Sequence, residues 1–454
     1  MYLSFKLLKR CMQRLHGQRK VTLIPSRLHM PASAFLRKSI IVLSLAAGAT
    51  CIMGQPTVSP LGGEYEIVEP ILGDQVLPSI SLNPSGGVLV WQDNTANGRT
   101  RGWGHRSALL DASGFGAGNS FRVNGVLTGD HLAPQTQLLA NNKTVYVWHS
   151  HVSGNFDIYA RLSGPKKNAE GYGSNFYTAD VRVNTYTRDS QINAAVAALP
   201  DGNAIITWQS YGEDGSMYGV YARKILATGN KRFATPKEFQ VNQVSEYNQR
   251  NPSVASLQDG SGGYVITWIS EREKTAQGVD VYARVFSSTG APLTPEFAVD
   301  SGPGDCSSPS VAALADGSFT IVWNQRDLTT PTNSYDIWGR NFNTSGNPTG
   351  ADFRINTYLY GDQYNPKIAS GPSGSLVVWT SLAEDGSQEG VFGRFLAGGT
   401  QPSGGEFQVN TTTVSKQMHP AVAWNGVDRF VVVWTSFVGS TGFDLYGQAY
   451  TLNQ

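Results

Sequence analysis

Short apolar runs that alternate with polar positions recur from Tyr65 to the C-terminus, and each longer run ends at a tryptophan. Successive tryptophans are 55 to 60 residues apart: Trp91, Trp148, Trp208, Trp268, Trp323, Trp379 and Trp434. A period of two is typical of half-buried strands, and no segment after residue 55 shows the apolar spacing of an amphipathic helix. A fixed repeat of this length indicates an array of similar β-sheet units.

Each repeat contains four short β-prone runs, which we name A, B, C and D in chain order. Run A has the form Gln-x-x-Pro-x-Val-Ala, as at Gln249–Ala255, and run B ends at the tryptophan. Run C holds an aromatic residue, Ala or Gly, and Arg, as at Tyr282–Arg284, whereas D has the form Phe-x-Val-Asn, as at Phe239–Asn242. Asp259-Gly260 between A and B is typical of a tight hairpin turn. Four antiparallel strands with short turns make one blade of a β-propeller.

The first and last runs supply complementary parts of one unit. The last repeat provides A near Pro420, B up to Trp434 and C at Phe443–Tyr450, but no D. The first ordered run, Tyr65–Val68, matches D and has no A, B or C before it. We therefore predict an all-β, seven-bladed β-propeller closed by the N-terminal strand in the last blade, because closure removes exposed sheet edges.

The first 54 residues have a different pattern. Lys and Arg crowd the first 38 residues, and the apolar run Ile40–Ala49 follows, which is the order found in signal peptides. We predict that residues 1–54 are an export signal, with an upstream extension if translation begins at Met30, and that residues 55–454 form the propeller. The apolar stretch is shorter than the roughly 20 residues that span a bilayer, so no span is expected in the mature chain. Lipid attachment at Cys51 is left open.

The charge balance and the cysteine content limit which partners are expected. The chain has 35 Lys+Arg and 34 Asp+Glu, so we expect no nucleic-acid partner. Cys306 is the one cysteine beyond the leader, so the fold cannot depend on an internal disulfide, and a monomer is expected. The predicted location is secreted or extracytoplasmic, including the cell surface.

The combined pattern of Phe-x-Val-Asn, Gln-x-x-Pro-x-Val-Ala, Asp-Gly and Val-Tyr-Ala-Arg, clearest at Val181–Arg223 and Phe239–Arg284, resembles repeats of large bacterial surface and secreted proteins. These include adhesin-like and hemolysin-type proteins. The resemblance implies an extracytoplasmic binding role and carries over no catalytic residue. The chain lacks Gly-Gly-x-Gly-x-Asp runs, so calcium is not implied. The first repeat departs most, with Trp103-Gly104-His105 in place of the aromatic-Ala-Arg run.

Catalytic motifs are absent from the sequence: it has no Gly-x-Ser-x-Gly elbow, His-Glu-x-x-His or Walker sequence. Glu213-Asp214 and Glu384-Asp385 are interpreted as turn residues, and Cys306 as a thiol without a nucleophilic role. The repeated tryptophans are expected to pack between blades, and the repeated Arg and Gln to hydrogen-bond backbone or neighbouring blades.

One histidine group is a candidate metal site. His131, His149 and His151 lie in the repeat that contains Trp148, in connections that open on one face of a propeller. Three neutral imidazoles can hold zinc with water in a fourth position. The alternative is three solvated loop histidines, and no cofactor is otherwise predicted.

Two classes of function follow. The first choice is an extracytoplasmic binding module for glycan or protein at the cell surface, since the chain is repetitive and free of catalytic motifs. The alternative is a secreted polysaccharide hydrolase or lyase built on a propeller scaffold.

Overall fold

The computed structural model describes residues 56–98, 102–114, 116, 118–140, 143–151, 154–164, 175–176, 178–227, 237–271, 278–329, 333–399 and 401–453. These residues form β-strands and turns without an α-helix, and thus contain no helix that is long and apolar enough to cross a membrane. The predicted leader, residues 1–54, lies outside the described residues.

The strands follow the repeat, and we name each sheet after its tryptophan. The first strand of the chain is β1 (Thr57–Glu66). The Trp91 sheet is β2 (Gln75–Asn83), β3 (Gly86–Asp93), β4 (Gly104–Leu110) and β5 (Phe121–Arg122). The Trp148 sheet is β6 (His131–Leu138), β7 (Thr144–His151), β8 (Phe156–Gly164), β9 (Asn175–Phe176) and β10 (Val181–Arg182). The Trp208 sheet is β11 (Gln191–Ala198), β12 (Ala204–Tyr211), β13 (Tyr218–Ile225) and β14 (Phe239–Gln240).

The second half continues the same order. The Trp268 sheet is β15 (Gln249–Ser256), β16 (Tyr264–Ser270), β17 (Asp280–Phe286) and β18 (Phe297–Ala298). The Trp323 sheet is β19 (Cys306–Ala313), β20 (Phe319–Arg326), β21 (Asn333–Phe342) and β22 (Phe353–Arg354). The Trp379 sheet is β23 (Gly361–Gly371), β24 (Gly374–Leu382), β25 (Glu389–Ala397) and β26 (Gln401–Gln408). The Trp434 sheet is β27 (Gln417–Trp424), β28 (Arg429–Phe437) and β29 (Phe443–Asn453).

Neighbouring strands within each sheet are antiparallel, in the order A, B, C, D, as the repeat predicts. A short parallel pairing of Asn333 with Gly361 also connects the Trp323 and Trp379 sheets. The fold is therefore all-β, built from small antiparallel sheets of the kind found in β-propellers.

The N-terminal strand supplies the D strand of the Trp434 sheet. Tyr65 pairs with Gly447 and Glu66 with Tyr446, as the sequence predicts, and the pairing extends to Thr57 opposite Asn453. Two strands about 390 residues apart in sequence thus share one sheet. Each A strand also contacts the next along the chain, and β27 contacts β2, so the A strands form a closed cycle.

The core lies between neighbouring sheets. All the repeated tryptophans are at most 1% exposed. Trp208, for example, packs in one cluster with Ile206 of its own sheet and with Val147 and Ile158 of the Trp148 sheet. The packing role predicted for the tryptophans is confirmed.

Where the repeated arginine is present, it joins its sheet to the one before it. Arg284 donates from Nη1 to the carbonyl oxygen of Val241 at 3.0 Å, and Arg394 donates in the same way to Ile355 at 2.7 Å. The repeated Gln363 donates from Nε2 to the carbonyl oxygen of Tyr360 at 3.0 Å. The prediction that these side chains hydrogen-bond backbone and neighbouring sheets is confirmed.

Near its beginning, each A strand contains a β-bulge. One residue in each adopts a left-handed conformation with φ between 50° and 55°: Leu77, Ala133, Asn193, Asn251, Ser308, Asn365 and His419. The strand register shifts at these points, as between Arg250 and Ser253. A bulge re-aims the side chains that follow it, and all the residues of this bulge ring line the space enclosed by the A strands.

The first repeat needs a correction. Trp91 pairs with Arg106, at the position where Trp208 pairs with Tyr221. Arg106-Ser107-Ala108, and not Trp103-Gly104-His105, thus corresponds to the aromatic-Ala-Arg run. The sequence alignment failed because the aromatic residue itself is replaced here.

Candidate functional site in the central channel

A channel runs along the A strands. It contains three cavities, which we call the mouth, middle and far cavities, with volumes of about 160, 400 and 660 Å³. The mouth cavity lies at the N-terminal ends of the strands, next to the bulge ring. Adjacent cavities share lining residues, such as Ala133 for the mouth and middle cavities and Ile368 for the middle and far cavities.

The mouth cavity combines apolar and ionisable side chains. Its lining residues are Leu77, Pro78, Ala133, Gln135, Asn365, Lys367, His419 and Pro420. Lys367 and His419 are the ionisable side chains among them. Among the residues that the structure describes, none that lines the three cavities is Asp or Glu. The described channel therefore offers a cation and an imidazole, without a carboxylate beside them.

Lys367 reaches the channel because of the bulge at Asn365. It follows Pro366, at the position where other A strands carry Ser253, Ser310 or Ala421. The side chain is exposed to the channel. Since the channel walls surround it, desolvation lowers the pKa of its ammonium. A cation in this setting attracts anions more strongly than one in open solvent.

His419 is itself a member of the bulge ring, at the position where other repeats have Asn251 and Asn365. Its Nδ1 atom is buried and lacks a hydrogen-bond partner. Burial lowers the pKa of this imidazole, and the positive charge of Lys367 lowers it further, whereas Glu389 raises it. With a pKa below 6.5, the imidazole is mainly neutral at pH 7 and can accept a proton.

Hydrogen bonds within the bulge ring fix the rest of the mouth. Asn193 donates from Nδ2 to Oδ1 of Asn251 at 2.9 Å, and Ser308 donates from its hydroxyl to Oδ1 of Asn365 at 3.2 Å. The ring thus has an apolar arc at Leu77 and Ala133 and a polar arc over the other positions. Such a surface suits a sugar, which has apolar C–H faces and polar edges.

The structure separates the histidines of the predicted zinc site. His131 pairs with Ser150 across β6 and β7, and its Nδ1 lies 2.9 Å from the Ser150 hydroxyl. His149 and His151 alternate with Ser150 along β7 and both pack against Phe156, with ring centroids 5.2 Å apart. Alternation along a strand places them on the face opposite His131. Within the described residues no group of three or more His, Cys, Asp or Glu side chains could hold a metal ion, so zinc binding by the three histidines stays a prediction that this geometry does not favour.

A different histidine, which sequence reasoning missed, lies against His131. His105 occupies the position that holds a buried aliphatic residue in other sheets, such as Val220 and Ile337. Its ring lies 6.1 Å from that of His131 and 5.6 Å from that of Trp148. Burial holds the pKa of His105 well below its usual value, and both ring nitrogens lack a hydrogen-bond partner. Because His105 is fully buried, it belongs to the junction between two sheets and not to a substrate site.

The Glu-Asp pairs have two roles. The carboxylates of Asp214 and Asp385 accept the backbone N–H of the residue two positions later, as expected for turns. Glu384, in contrast, pairs with Glu406, and burial together with that carboxylate raises the pKa of Glu384 to about 8. Glu213 pairs with Glu238 in the same way, with a pKa of about 7. Both pairs lie outside the channel.

Cys306 replaces the repeated Gln, and Asp300 the repeated Asn, at the junction of the Trp268 and Trp323 sheets. Burial raises the pKa of the Cys306 thiol, so it is a poor nucleophile, as expected. Burial and the nearby Asp280 raise the pKa of Asp300 to about 6, although the Val281 N–H donates to it at 2.7 Å.

No protein-family model and no curated protein sequence matches the chain. The comparisons therefore give no sequence-family support for the resemblance to adhesin-like and hemolysin-type repeats. Solved structures do match. A protein of unknown function from Dyadobacter fermentans is 11% identical, with a TM-score of 0.51, and the match covers 87% of this chain and 99% of that one.

Two polysaccharide lyases also share the fold. An ulvan lyase of family PL25, solved bound to a saccharide containing GlcA, is 10% identical with a TM-score of 0.52 over 85% of this chain and 95% of its own. A second polysaccharide lyase is 8% identical with a TM-score of 0.51, and the match covers 87% of this chain and 99% of that one. At these identities the similarity shows a shared propeller-like fold and no more.

Proposed function

We propose that the sheets are the blades of a seven-bladed β-propeller closed by β1, and that the protein is exported and acts on polysaccharide as a lyase. The closed cycle of A strands and the pairing of β1 with β29 support the blade count and the closure. The basic and apolar leader supports export. Polysaccharide lyases among the structural neighbours make this chemistry compatible with the fold.

One observation favours elimination over hydrolysis. Glycoside hydrolases typically need two carboxyl groups that flank the scissile bond. The described residues that line the channel cavities include no Asp or Glu, whereas Lys367 and His419 lie together in the mouth cavity. This set fits a sugar acid, because the lysine can bind its carboxylate and the neutral imidazole can remove the proton beside that carboxylate.

The proposed reaction is a β-elimination at a uronate residue. His419 takes the proton from C5, the C5–H electrons form the C4=C5 double bond, and the C4–O bond breaks. The leaving oxygen takes a proton from water in the open channel. Lys367 stabilises the negative charge that develops on the carboxylate as the proton leaves, which is the kind of electrostatic assistance that enzymes use most.

The test is incubation of residues 55–454 with ulvan, polygalacturonate, alginate and neutral arabinan. We expect ultraviolet absorbance from the new conjugated double bond with at least one acidic polymer and none with arabinan. His419→Ala should lower kcat by at least about 100-fold, as loss of a general base does. Lys367→Met should raise KM and lower kcat.

Two results would point to a function other than a lyase. New reducing ends without ultraviolet absorbance would indicate a hydrolase. Retention of a polymer without cleavage would return the binding module to first place. A Lys237→Met variant, altered on the outer side of the Trp208 sheet, is the control and should behave like the wild type.

A further inference from the structure

The mouth cavity is about the size of one sugar ring. A cavity of about 150 Å³ holds a benzene molecule, and the mouth cavity measures about 160 Å³. Its walls come from four A strands, β2, β6, β23 and β27, through Leu77, Ala133, Lys367 and His419. A sugar ring that contacts Lys367 is thus enclosed on its sides by strands.

The mouth cavity leads along the channel into the middle cavity. The middle cavity, of about 400 Å³, is lined by neutral hydrogen-bonding groups such as Gln135, Asn193 and Asn251. By the same scale it holds about two further rings. Ile80, Gln137, Ile368 and Val422 line both the middle and the far cavity, so the channel continues from one into the other.

This shape distinguishes a chain end from a chain interior. An internal residue of a polymer carries sugar on both sides and reaches a site only through a groove that is open along its side. A residue in the mouth cavity can continue outward on one side, whereas on the other side the chain lies inside the closed cycle of A strands, in the middle and far cavities. A chain that enters must therefore do so by its end.

We propose that the mouth and middle cavities bind the end of an acidic polysaccharide chain, with an anionic residue at Lys367 and His419 and the terminal residues below it in the channel. This inference rests on the proposed function. It makes the enzyme one that releases short products from chain ends, and it makes the neutral amides of the bulge ring contacts for the terminal sugars.

The experiment is competition for binding of a fluorescently labelled ulvan hexasaccharide. The competitors are intact ulvan and ulvan cut to about one tenth of its length, compared at equal mass. End binding predicts that the shortened polymer reaches half displacement at about one tenth of the mass concentration, because it has about tenfold more ends per gram. Half displacement at equal mass would overturn end binding.

A variant in the middle cavity tests the depth of insertion. Ser253→Phe fills space below Lys367 and His419, and we expect at least about tenfold weaker binding of the hexasaccharide with unchanged binding of free glucuronate. Ser345→Phe, in an exposed turn, is the matched control. Unchanged hexasaccharide binding by a Ser253→Phe protein with a wild-type melting temperature would also overturn the inference.

A failure of the proposed function can be distinguished from a failure of end binding. If no hexasaccharide from ulvan, polygalacturonate or alginate binds, or if binding to Lys367→Met is equally strong, the acidic-sugar site itself is wrong. If it binds through Lys367 but the two polymers compete equally by mass, the site stands and only end binding is wrong.

Discussion

Two junctions between sheets use the same backbone arrangement with different chemistry. Between the Trp323 and Trp379 sheets, Asn356 accepts the Ile337 N–H at 2.8 Å and donates to Asp336 and to Tyr358 O at 2.7 and 2.8 Å. Between the Trp91 and Trp148 sheets, Asn124 accepts the N–H of His105 at 2.9 Å. It donates to Oδ1 of Asn97 at 2.8 Å and to the carbonyl oxygen of Val126.

The comparison shows that the repeat fixes the backbone contacts and leaves the protonation behaviour free to vary. The Trp323–Trp379 junction contains the Glu384–Glu406 pair. Glu406 accepts hydrogen bonds from the backbone N–H groups of Thr357 and Tyr358. Glu384 holds a proton at neutral pH, because its pKa is raised. The Trp91–Trp148 junction instead buries neutral imidazoles. The first junction should therefore weaken in alkali and the second in acid.

The largest expected effect on stability comes from removal of the Asn356 side-chain amide at the Trp323–Trp379 junction. Asn356→Ala leaves the Ile337 N–H without its partner and removes one charge-assisted hydrogen bond from the buried carboxylate of Asp336, so it should lower the free energy of unfolding by about 3 kcal/mol. Asn124→Ala should cost less, about 2 kcal/mol, because its partner Asn97 is uncharged. Urea unfolding at pH 7 measures both, and a larger loss for Asn124→Ala would reverse the comparison.

The acid sensitivity of the Trp91–Trp148 junction can be removed with His105→Val, which restores the residue type of the equivalent positions. The pKa of His105 lies well below 6.5 in the folded protein, so below about pH 6.5 the unfolded chain gains a proton that the folded chain does not, and stability falls as the pH drops. When the pH is lowered from about 7 to 5, the free energy of unfolding of the variant should fall by about 2 kcal/mol less than that of the wild type. An exposed-site control, His151→Val, should keep the wild-type dependence, and the same dependence for His105→Val would contradict the prediction.

The smallest effect concerns Glu384 at the other junction. Its pKa rises from 4.5 to about 8 on folding, so between these values the folded protein keeps a proton that the unfolded chain has lost. Stability therefore falls as the pH rises through this window. Glu384→Gln donates to Glu406 at every pH and should lose about 1 kcal/mol less than the wild type between pH 6 and 9, after allowance for partial exposure. Thermal unfolding across that range is the measurement, with exposed Glu246→Gln as the control.

The sequence predicts the strands and their closure well because its signals recur from repeat to repeat. A tryptophan that closes an apolar run, or an Asp-Gly turn such as Asp316-Gly317, can be checked against its counterparts. The residues that line the channel cannot be predicted in this way. The bulge at Asn365 interrupts the alternation along β23, so counting by twos does not tell which side chain enters the channel.

A sharper signal for the site was present in the sequence. Lys367 stands where other repeats have the uncharged residues Ser, Ala or Gln, and His419 stands where Asn251 and Asn365 are found. Comparison of repeats, position by position, would have found both residues. His105 was missed for another reason. The first repeat lacks the aromatic residue by which run C is recognised, and the register of its C strand is shown only by the pairing of Trp91 with Arg106.

The pairing of β1 with β29 brings Thr57 opposite Asn453, so the two ends of the described chain lie about one strand spacing, roughly 5 Å, apart. Circular permutation follows naturally from this geometry. A short glycine-rich linker could join residues 57 and 453, and the chain could be opened instead in another D-to-A connection, such as the one between β18 and β19, with every sheet keeping all its strands. The order of the repeats along the chain is thus a property of the gene, whereas the ring itself has no first sheet.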